Sequence, residues 1–597
     1  MNDSIDPQLL DYYQRELTWL RHAGSQFAER YPKVARRLEL SPGECPDPHV
    51  ERLLEGFALL AARLQRRLDD DYAEFSDALL EQLYPLAMRP LPSCAIVQFE
   101  PDPSKGNLDD GYPLPRDTPL FVTTSKGESI HFRTSAAVRL WPIEVTEALL
   151  LGSDEAQALT GVAQSRSALR LSLRCRGESQ WSALGIEQLR IHLAASPVVN
   201  ACLYDLLGAH AVQVLAGSPG SVPTALKGLP KIVGFADDEA LLPDEDGVHP
   251  GMRLLAEYFA FPDKFHFFDL PLGGVSSDSQ TLYLYIVFDR APGSRVHLQA
   301  SDIALGCAPV INLFPRTSEP LRPDGTRSEY RLIADSHREN SVEIHSIRGM
   351  RASSSAGVQR LPAYYGSQHS GGDQQRYWHA RRVNGMTPNR LGSDLLVSVV
   401  DTRFEPQTDL PDYSLTAELL CTNRHLAQSL PAGTPLGFER PGPVAWARLR
   451  NPPSAQSLPR LDGDSRWRLV SQLTLNHLSL VEGPQALDAL KEILHLHNLR
   501  DEASALRQIE GLLQLNCQRV IGHVGADAWR GWRNGLEVQL QLDPQHFVGS
   551  SAVLFSAVLA QFFSLYATAN RFVRTVLMQS DKEVKAWQPQ AGMPLSL

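Results

Sequence analysis

DYYQRELTWLRHAGSQFAERYPKVARRL (11–38) and DPHVERLLEGFALLAARLQRRLDDD (47–71) open this chain, and their spacing decides how its first part folds. In the first stretch and the residues just before it, Leu9, Tyr13, Leu17, Leu20, Gly24, Phe27 and Tyr31 recur at steps of three or four. In the second, Val50, Leu53, Phe57, Leu60 and Leu64 do the same. That period is the α-helical one, and it draws one apolar stripe along each helix with charge on the other side. The stripes are narrow, closer to the seam of a bundle than to the broad face of a globular helix. Pro7 stands at the start of the first helix and Pro32 stops it. Asp47 is placed to cap the second, with Pro48 at its first position. The run Asp69, Asp70, Asp71 precedes DYAEFSDALLEQLYP (71–85) and predicts the start of a third helix, where acids complement the positive helix end. Nothing in these helices assembles a catalytic set, so the opening is built for packing.

Working outward, RPLPS (89–93) is a rigid exit, after which the period changes to two. CAIVQFE (94–100), TPLFVTT (118–124), IHFRTS (130–135), ALRLSLRC (168–175) and QLRIHLAA (188–195) alternate as half-buried strands do. ACLYDLLGAH (201–210) and MRLLAEYFAFP (252–262) predict helices, and ADDEALLPDEDGVHPG (236–251) an acidic connector. TLYLYIVF (281–288), YRLIAD (330–335) and VEIHSI (342–347) continue the β pattern. Residues 352–382 are rich in Ser, Gly and Gln and end in YWHARR, which predicts a mobile loop with an anchored end. Further on, DLLVSVVD (394–401), SLTAELLC (414–421), WRLVSQLTL (467–475) and GLEVQLQLD (535–543) predict strands. PQALDALKEILHLHN (484–498) and SALRQIEGLLQLNCQRVI (504–521) predict helices. The expected class is α+β multidomain. A helical segment at 1–92 leads into a β-rich domain at 93–250 and a β-rich, wing-like domain at 251–400. A mixed domain at 401–597 ends in an apolar helix.

Length and charge bound the possibilities. A chain of 597 residues exceeds one core. Its net charge of −11 argues against a nucleic-acid binder that works by neutralising phosphates. Seven scattered cysteines, Cys45, Cys94, Cys175, Cys202, Cys307, Cys421 and Cys517, form no Cys-x-x-Cys pair and suit reduced thiols. The opening MNDSIDPQ has no apolar core and does not read as a secretory signal. The uncharged stretch FVGSSAVLFSAVLAQFFSLYATAN (547–570) could span a bilayer by length, but Ser, Thr, Gln561 and Asn570 dilute it. Leu554, Val558, Phe562 and Tyr566 recur every four residues, which predicts a helix buried in protein.

Chemistry-bearing motifs are sparse. Phosphate-cradling glycine loops, nucleophile elbows, His-Glu-x-x-His and a calcium loop are all missing from the sequence. His495 and His497 sit two apart on a predicted helix, a spacing that shares no face; a helix-end contact or exposure is expected. Glu343 and His345 would share one face of a strand, as an acid/base pair or, more simply, a cross-strand polar pair. Tyr364, Tyr365, Tyr377, Trp378, Arg381 and Arg382 combine aromatics with arginines, as an interface or as a loop anchor on its own domain. No catalytic residue, cofactor site or metal site is assigned.

A resemblance joins these pieces. The opening, DPHVERLLEGFALLAARLQRRLDD (47–70) and ALLEQLYPLAMRPLPS (78–93) resemble the start of the TssF family, the wedge component of the type VI secretion baseplate. INLFPR (311–316), EIHSI (343–347), LCTNRHL (420–426), WRLVSQLTLNHLSL (467–480), LDPQHFVGSSAVLFSAVLAQFFSLYATANRF (542–572) and WQPQAG (587–592) resemble later phrases of that family, in order. Two departures stand out. Before EVQL (537–540) this chain has Arg533-Asn534-Gly535 where the family carries an Arg-Gly pair, which alters the turn expected there. The stretch 352–376 matches no family phrase.

The resemblance implies a structural role without enzyme activity. Two TssF copies in non-equivalent places would join one TssG, with TssE and TssK. Such wedges would surround the VgrG spike as the platform for sheath and tube, in the cytoplasm at the inner-membrane face. It implies no nucleic acid and no membrane insertion. Residues expected at interfaces are Tyr13, Leu17 and Leu20; Val50, Leu53 and Phe57; Tyr377, Trp378 and Arg381; and Leu554, Val558, Phe562 and Tyr566. Trp467, Asn476, His477 and Leu478 are expected in core and turn. The competing readings are a binding module using the Tyr364–Arg382 aromatics and a hydrolase drawing on Glu343, His345 and a distant serine.

Overall fold

In the computed structural model the described residues are 7–35, 48–177, 179–244, 248–293, 296–324, 326–355, 357–365, 376–386, 391–401, 403, 405, 413–438, 442–459, 463–473, 485–500, 502–523, 532–567 and 571–591. Cys45, the cap at Asp47, the tip of the 352–382 loop at 366–375, and Asn476, His477 and Leu478 lie outside them. The chain divides into two compact units, Met1–Glu81 with Arg460–Ser471, and Gln82–Pro459 with Gln472–Leu597.

The first unit is helical. Helix Pro7–Arg30 stops before Pro32, and helix Pro48–Leu83 begins at the expected proline. That second helix runs unbroken through Asp69–Asp71, so the expected third helix is its continuation. No proline or glycine interrupts residues 57–83, and aspartate alone lowers helix propensity too little to stop a long helix. Helix Gly463–Leu473 replaces the strand expected at 467–475. Leu469 and Val470 are buried beside Arg466, a helical spacing, and Arg466 reaches Asp77 at 2.5 Å. Short apolar runs do not separate helix from strand by pattern alone.

The second unit is α+β. A closed six-stranded barrel takes, in order around it, Cys94–Pro101, Cys307–Ile311, Ser129–Thr134, Pro119–Thr123, Pro435–Phe438 and Val444–Leu449. Val97, Phe99, Leu120, Ile130, Phe132, Val310 and Leu449 fill it. Closure removes the unpaired edges that an open sheet would leave. Between barrel strands the chain builds a five-stranded sheet around Ser167–Cys175 and Thr281–Phe288, and a four-stranded sheet around Gln188–Leu193 and Phe267–Pro271.

Two further sheets share one core. Phe314–Thr317, Ser414–Thr422, Glu343–Ser354 and Gly357–Leu361 form one; Tyr330–Leu332, Ser393–Val400 and Tyr377–Asn384 form the other. Much of the expected 352–382 loop is therefore paired strand: Met350 to Ser354 zip against Leu361 to Gly357, and Tyr377–Asn384 pairs along Ser393–Val400.

The C-terminal part holds a β-α-β unit. Strand Trp532–Leu542 lies parallel to Phe572–Gln579, and helix Ala552–Tyr566 makes the crossover that parallel strands require. The helix expected at 504–521 ends at Glu510, and Leu512–His523 is a strand paired to Trp532–Leu542. Gly511 marks the change; a Cβ there would lie 2.6 Å from the Cβ of His546. Arg533-Asn534-Gly535 is strand, not turn, and Gly535 is fixed by a close approach: a Cβ would stand 2.4 Å from the Phe572 ring. Among the described residues no helix is long and apolar enough to cross a membrane.

Candidate functional site

Three of the phrases singled out in the sequence, INLFPR, EIHSI and LCTNRHL, meet in space. Asn312 follows a barrel strand and Asn423 follows strand Ser414–Thr422; both are fully buried. Asn312 Nδ2 donates to Asn423 Oδ1 at 2.8 Å and to the His131 carbonyl at 2.6 Å, while the Asn423 backbone N–H donates to Asn312 Oδ1 at 2.7 Å. Asn423 Nδ2 reaches the carbonyls of Ser129 and Ser341 at 3.1 and 3.2 Å. Each amide thus spends its donors and acceptor across two modules, as buried polar groups must.

The next residue, Arg424, sits at φ +50 in the left-handed region. Its Nε donates to the carbonyls of Glu339 and Val342 at 3.1 and 3.0 Å, and its Nη1 to that of Leu391 at 2.8 Å. Glu343 Oε2 lies 3.6 Å from the same Nη1. Glu343 also accepts from Ser393 N and Oγ, each at 2.7 Å, and from Gln456 Nε2 at 2.7 Å. Gly392, φ +125, makes room: a Cβ there would fall 2.1 Å from Arg424 Nη1 and 2.9 Å from Glu343 Oε2. Arg382 closes the cluster, donating to the carbonyls of Ile344 and His345 at 3.0 and 2.7 Å and to Ser393 Oγ at 2.6 Å. Removing one member of such a buried charged set costs about 3–5 kcal/mol.

This geometry accounts for the Glu343 and His345 pair. The ladder shifts register between Ile344 and Ser346, so His345 is the bulged residue and the alternation that would align it with Glu343 is broken. Among the described residues no hydrogen bond joins the two; His345 Nδ1 faces Ser346 Oγ at 3.1 Å instead. Burial holds the imidazole well below its ordinary pKa, and the guanidinium groups of Arg89 and Arg382 push it further down. The carboxylate is spent on Ser393, Gln456 and Arg424. The cluster is built to hold modules together, and sequence reading missed Asn312, Asn423, Arg424, Gly392 and Gln456 as its members. For Asn312, Asn423 and Arg424 the available signal was their place in the phrases INLFPR and LCTNRHL; Gly392 and Gln456 lie in no such phrase.

Other candidates are also spoken for. His495 is exposed while His497 is buried and donates Nδ1–H to the Ile493 carbonyl at 2.8 Å. Burial drives the His497 pKa down to about 4, so it is a neutral core group rather than a cation at the helix end. Among the described residues no cluster of His, Cys, Asp or Glu is suited to a metal ion. Tyr377 is buried, Trp378 packs on the core of the paired sheets, and Arg381 is held bidentately by Glu329 at 3.2 and 2.7 Å. Tyr364, Tyr365, Tyr377 and His379 stack edge to face with centroids 4.9 to 5.9 Å apart. The aromatic set is thus packed on its own module.

The helical stripes divide. On helix Ala552–Tyr566, Leu554, Val558 and Phe562 are enclosed by the chain's own elements, and Tyr566 is half-buried. Gly208 and Gly251 let two neighbouring helices close on it: a Cβ at Gly208 would lie 3.1 Å from Val553, and one at Gly251 3.1 Å from both Phe562 and Tyr566. Ser551 caps this helix and donates to Asp205 Oδ1 at 2.5 Å. Burial pushes the Asp205 carboxyl up to about 6 despite those hydrogen bonds. In the helical unit, Tyr13, Leu17, Leu20 and Val50 are half-buried, whereas Leu53 is 73% exposed, Phe57 60% and Leu64 65%. Ala62 and Leu80, fully buried, lie about 180° around the same helix from Leu53.

Comparison with known proteins agrees along the whole chain. The family model for "Type VI secretion system, TssF" matches residues 5–594. The type VI secretion system component TssF1 of Pseudomonas aeruginosa PAO1 is 32% identical over 98% of this chain and 99% of its own length. In fold, the chain is similar to a subunit of the type VI secretion TssK-TssF-TssG baseplate subcomplex (TM-score 0.72, 24% identity, 92% of this chain and 100% of that one). It is also similar to a chain of the type VI secretion baseplate complex (TM-score 0.59, 24% identity, 98% and 100%). With a family match spanning nearly every residue and a relative this similar end to end, the chain belongs to the TssF family of the type VI secretion system.

Proposed function

We propose that this chain is a structural subunit of the type VI secretion baseplate that acts by assembly and not by catalysis. Its partners are TssG, TssK and a second copy of itself, and two copies join one TssG. TssE, the VgrG spike and the sheath and tube follow from the same platform role. The protein works in the cytoplasm, at the baseplate's contact with the inner membrane. Membership of the TssF family supports the system, and the chain is similar in fold to a subunit of a TssK-TssF-TssG baseplate subcomplex.

The observation that carries the assembly reading is the exposed stripe Leu53, Phe57, Leu60 and Leu64 on helix Pro48–Leu83. A long helix that turns its largest apolar side chains to solvent and its alanines inward is shaped to receive other helices. The non-catalytic reading is supported by Glu343, whose carboxylate is held by Ser393, Gln456 and Arg424, and by the bulge that breaks its alignment with His345. Native mass spectrometry of the chain co-expressed with TssG tests this. Two copies bound to one TssG is the expected mass; a chain that stays monomeric beside TssG overturns the reading.

A further inference from the structure

The barrel and its two adjoining sheets meet around a cleft of about 210 Å³. It is lined by four guanidinium groups and two carboxylates, in a chain whose net charge is −11. Two of the arginines are neutralised. Arg176 pairs with Glu100 and with Glu144, and Arg190 with Asp269 and Glu239 at 2.8 Å each. The other two are not. Arg139 lies along the indole of Trp141, its guanidinium carbon 5.9 Å from the ring centroid. Arg450 donates to the Ser301 carbonyl at 2.8 Å and to Gln98 Oε1 at 3.4 Å. Among the described residues neither has a carboxylate within ion-pair distance. Glu100, drawn into the cleft wall, has its pKa raised by burial against the pull of Arg176, so the walls are partly dry and a charge placed there is weakly screened.

We infer that this cleft is a docking site for an acidic side chain on a peptide segment of a partner protein, held by Arg139 and Arg450. Its volume falls below the roughly 300 Å³ at which cofactor-sized pockets begin, and suits a side chain or two. Glu100 and Glu144 on the same walls oppose a phosphate dianion or a polyanion, while two guanidinium charges without an ion-pair partner match a single carboxylate. The cleft belongs to the second unit, and its test does not depend on TssG.

Fluorescence anisotropy of the full chain with a labelled Glu/Leu hexapeptide is the direct measurement, with a Gln/Leu peptide and excess inorganic phosphate as comparisons. The Glu/Leu peptide binds about tenfold or more tightly than the Gln/Leu peptide, and phosphate leaves it bound. Arg139→Glu with Arg450→Glu removes that binding and gains a Lys/Leu peptide; Arg139→Glu alone, at an exposed position, gives the same direction with the fold undisturbed. Equal binding of the Glu and Gln peptides, displacement by phosphate, or a charge-reversed variant that binds Glu/Leu as before would each overturn the site.

Discussion

On helix Pro48–Leu83 the side chains of Leu53, Phe57, Leu60 and Leu64 stand in solvent; on helix Ala552–Tyr566 those of Leu554, Val558 and Phe562 are wholly enclosed. Both stripes have helical spacing and bulky apolar residues. The difference lies in what faces them. The C-terminal helix carries no charge, and Gly208 and Gly251 on its neighbours permit close approach. The N-terminal helix alternates its stripe with Glu51, Arg52, Glu55 and Arg63, and what it buries lies on other sides of it, at Ala58, Ala62 and Leu80. A stripe is a statement about geometry; whether the chain itself covers it depends on neighbours that local sequence does not name.

The sharpest way to break the comparison is a charge in each stripe. Phe562→Asp puts an unpaired carboxylate where no water reaches, a cost of several kcal/mol that rivals the whole stability of a domain. The variant is expected to lose its cooperative urea transition. A Phe562→Asp protein that unfolds at the wild-type midpoint would mean the C-terminal stripe is not core.

Within the second unit, the Asn312, Asn423, Arg424 and Glu343 cluster is expected to come next in effect. Glu343→Gln leaves Arg424 buried without its charge partner and should lower stability by about 3–5 kcal/mol, read from urea denaturation. An unchanged midpoint would reduce the cluster to incidental contacts.

How much of this was legible in the sequence follows from range. Strands such as CAIVQFE and TLYLYIVF read correctly because each is a short run of β-branched, aromatic and aliphatic residues, a local signal that holds even where most residues of the strand are buried. The segment 512–521 misled because its apolar residues satisfy both periods until the pairing with Trp532–Leu542 decides. Asn312 and Asn423 stand 111 residues apart, and nothing in either neighbourhood announces the other. The bulge at His345 is set by register against Ser414–Thr422, not by the residues of EIHSI. The inward line of Ala58 and Ala62 was invisible because alanine contributes little to an apolar stripe.

Asp205 supplies a smaller, pH-dependent test of how firmly the enclosed helix is seated. Its carboxyl, at the cap of helix Ala552–Tyr566, has a folded pKa of about 6 against an ordinary 3.8. The folded state therefore binds the extra proton between those values. The contribution is fully favourable below pH 3.8 and is lost as pH rises through 6, by about 2–3 kcal/mol. Asp205→Asn should flatten that slope, seen as a wild-type minus variant difference in urea midpoint that changes between pH 4 and 7. A difference that stays constant with pH would refute it.

The smallest effect on stability should come from the other stripe. Phe57→Asp places its charge in solvent, so the stability read from urea denaturation should change by no more than about 0.5 kcal/mol. The same substitution should remove TssG from the chain in co-purification, because the charge would then be buried by the partner. Leu64→Ser should act in the same direction and less strongly, since it removes apolar area without adding charge. If Phe57→Asp leaves TssG capture intact, the exposed stripe serves neither TssG nor a bundle containing it. If it unfolds the protein as Phe562→Asp does, the two stripes are alike after all.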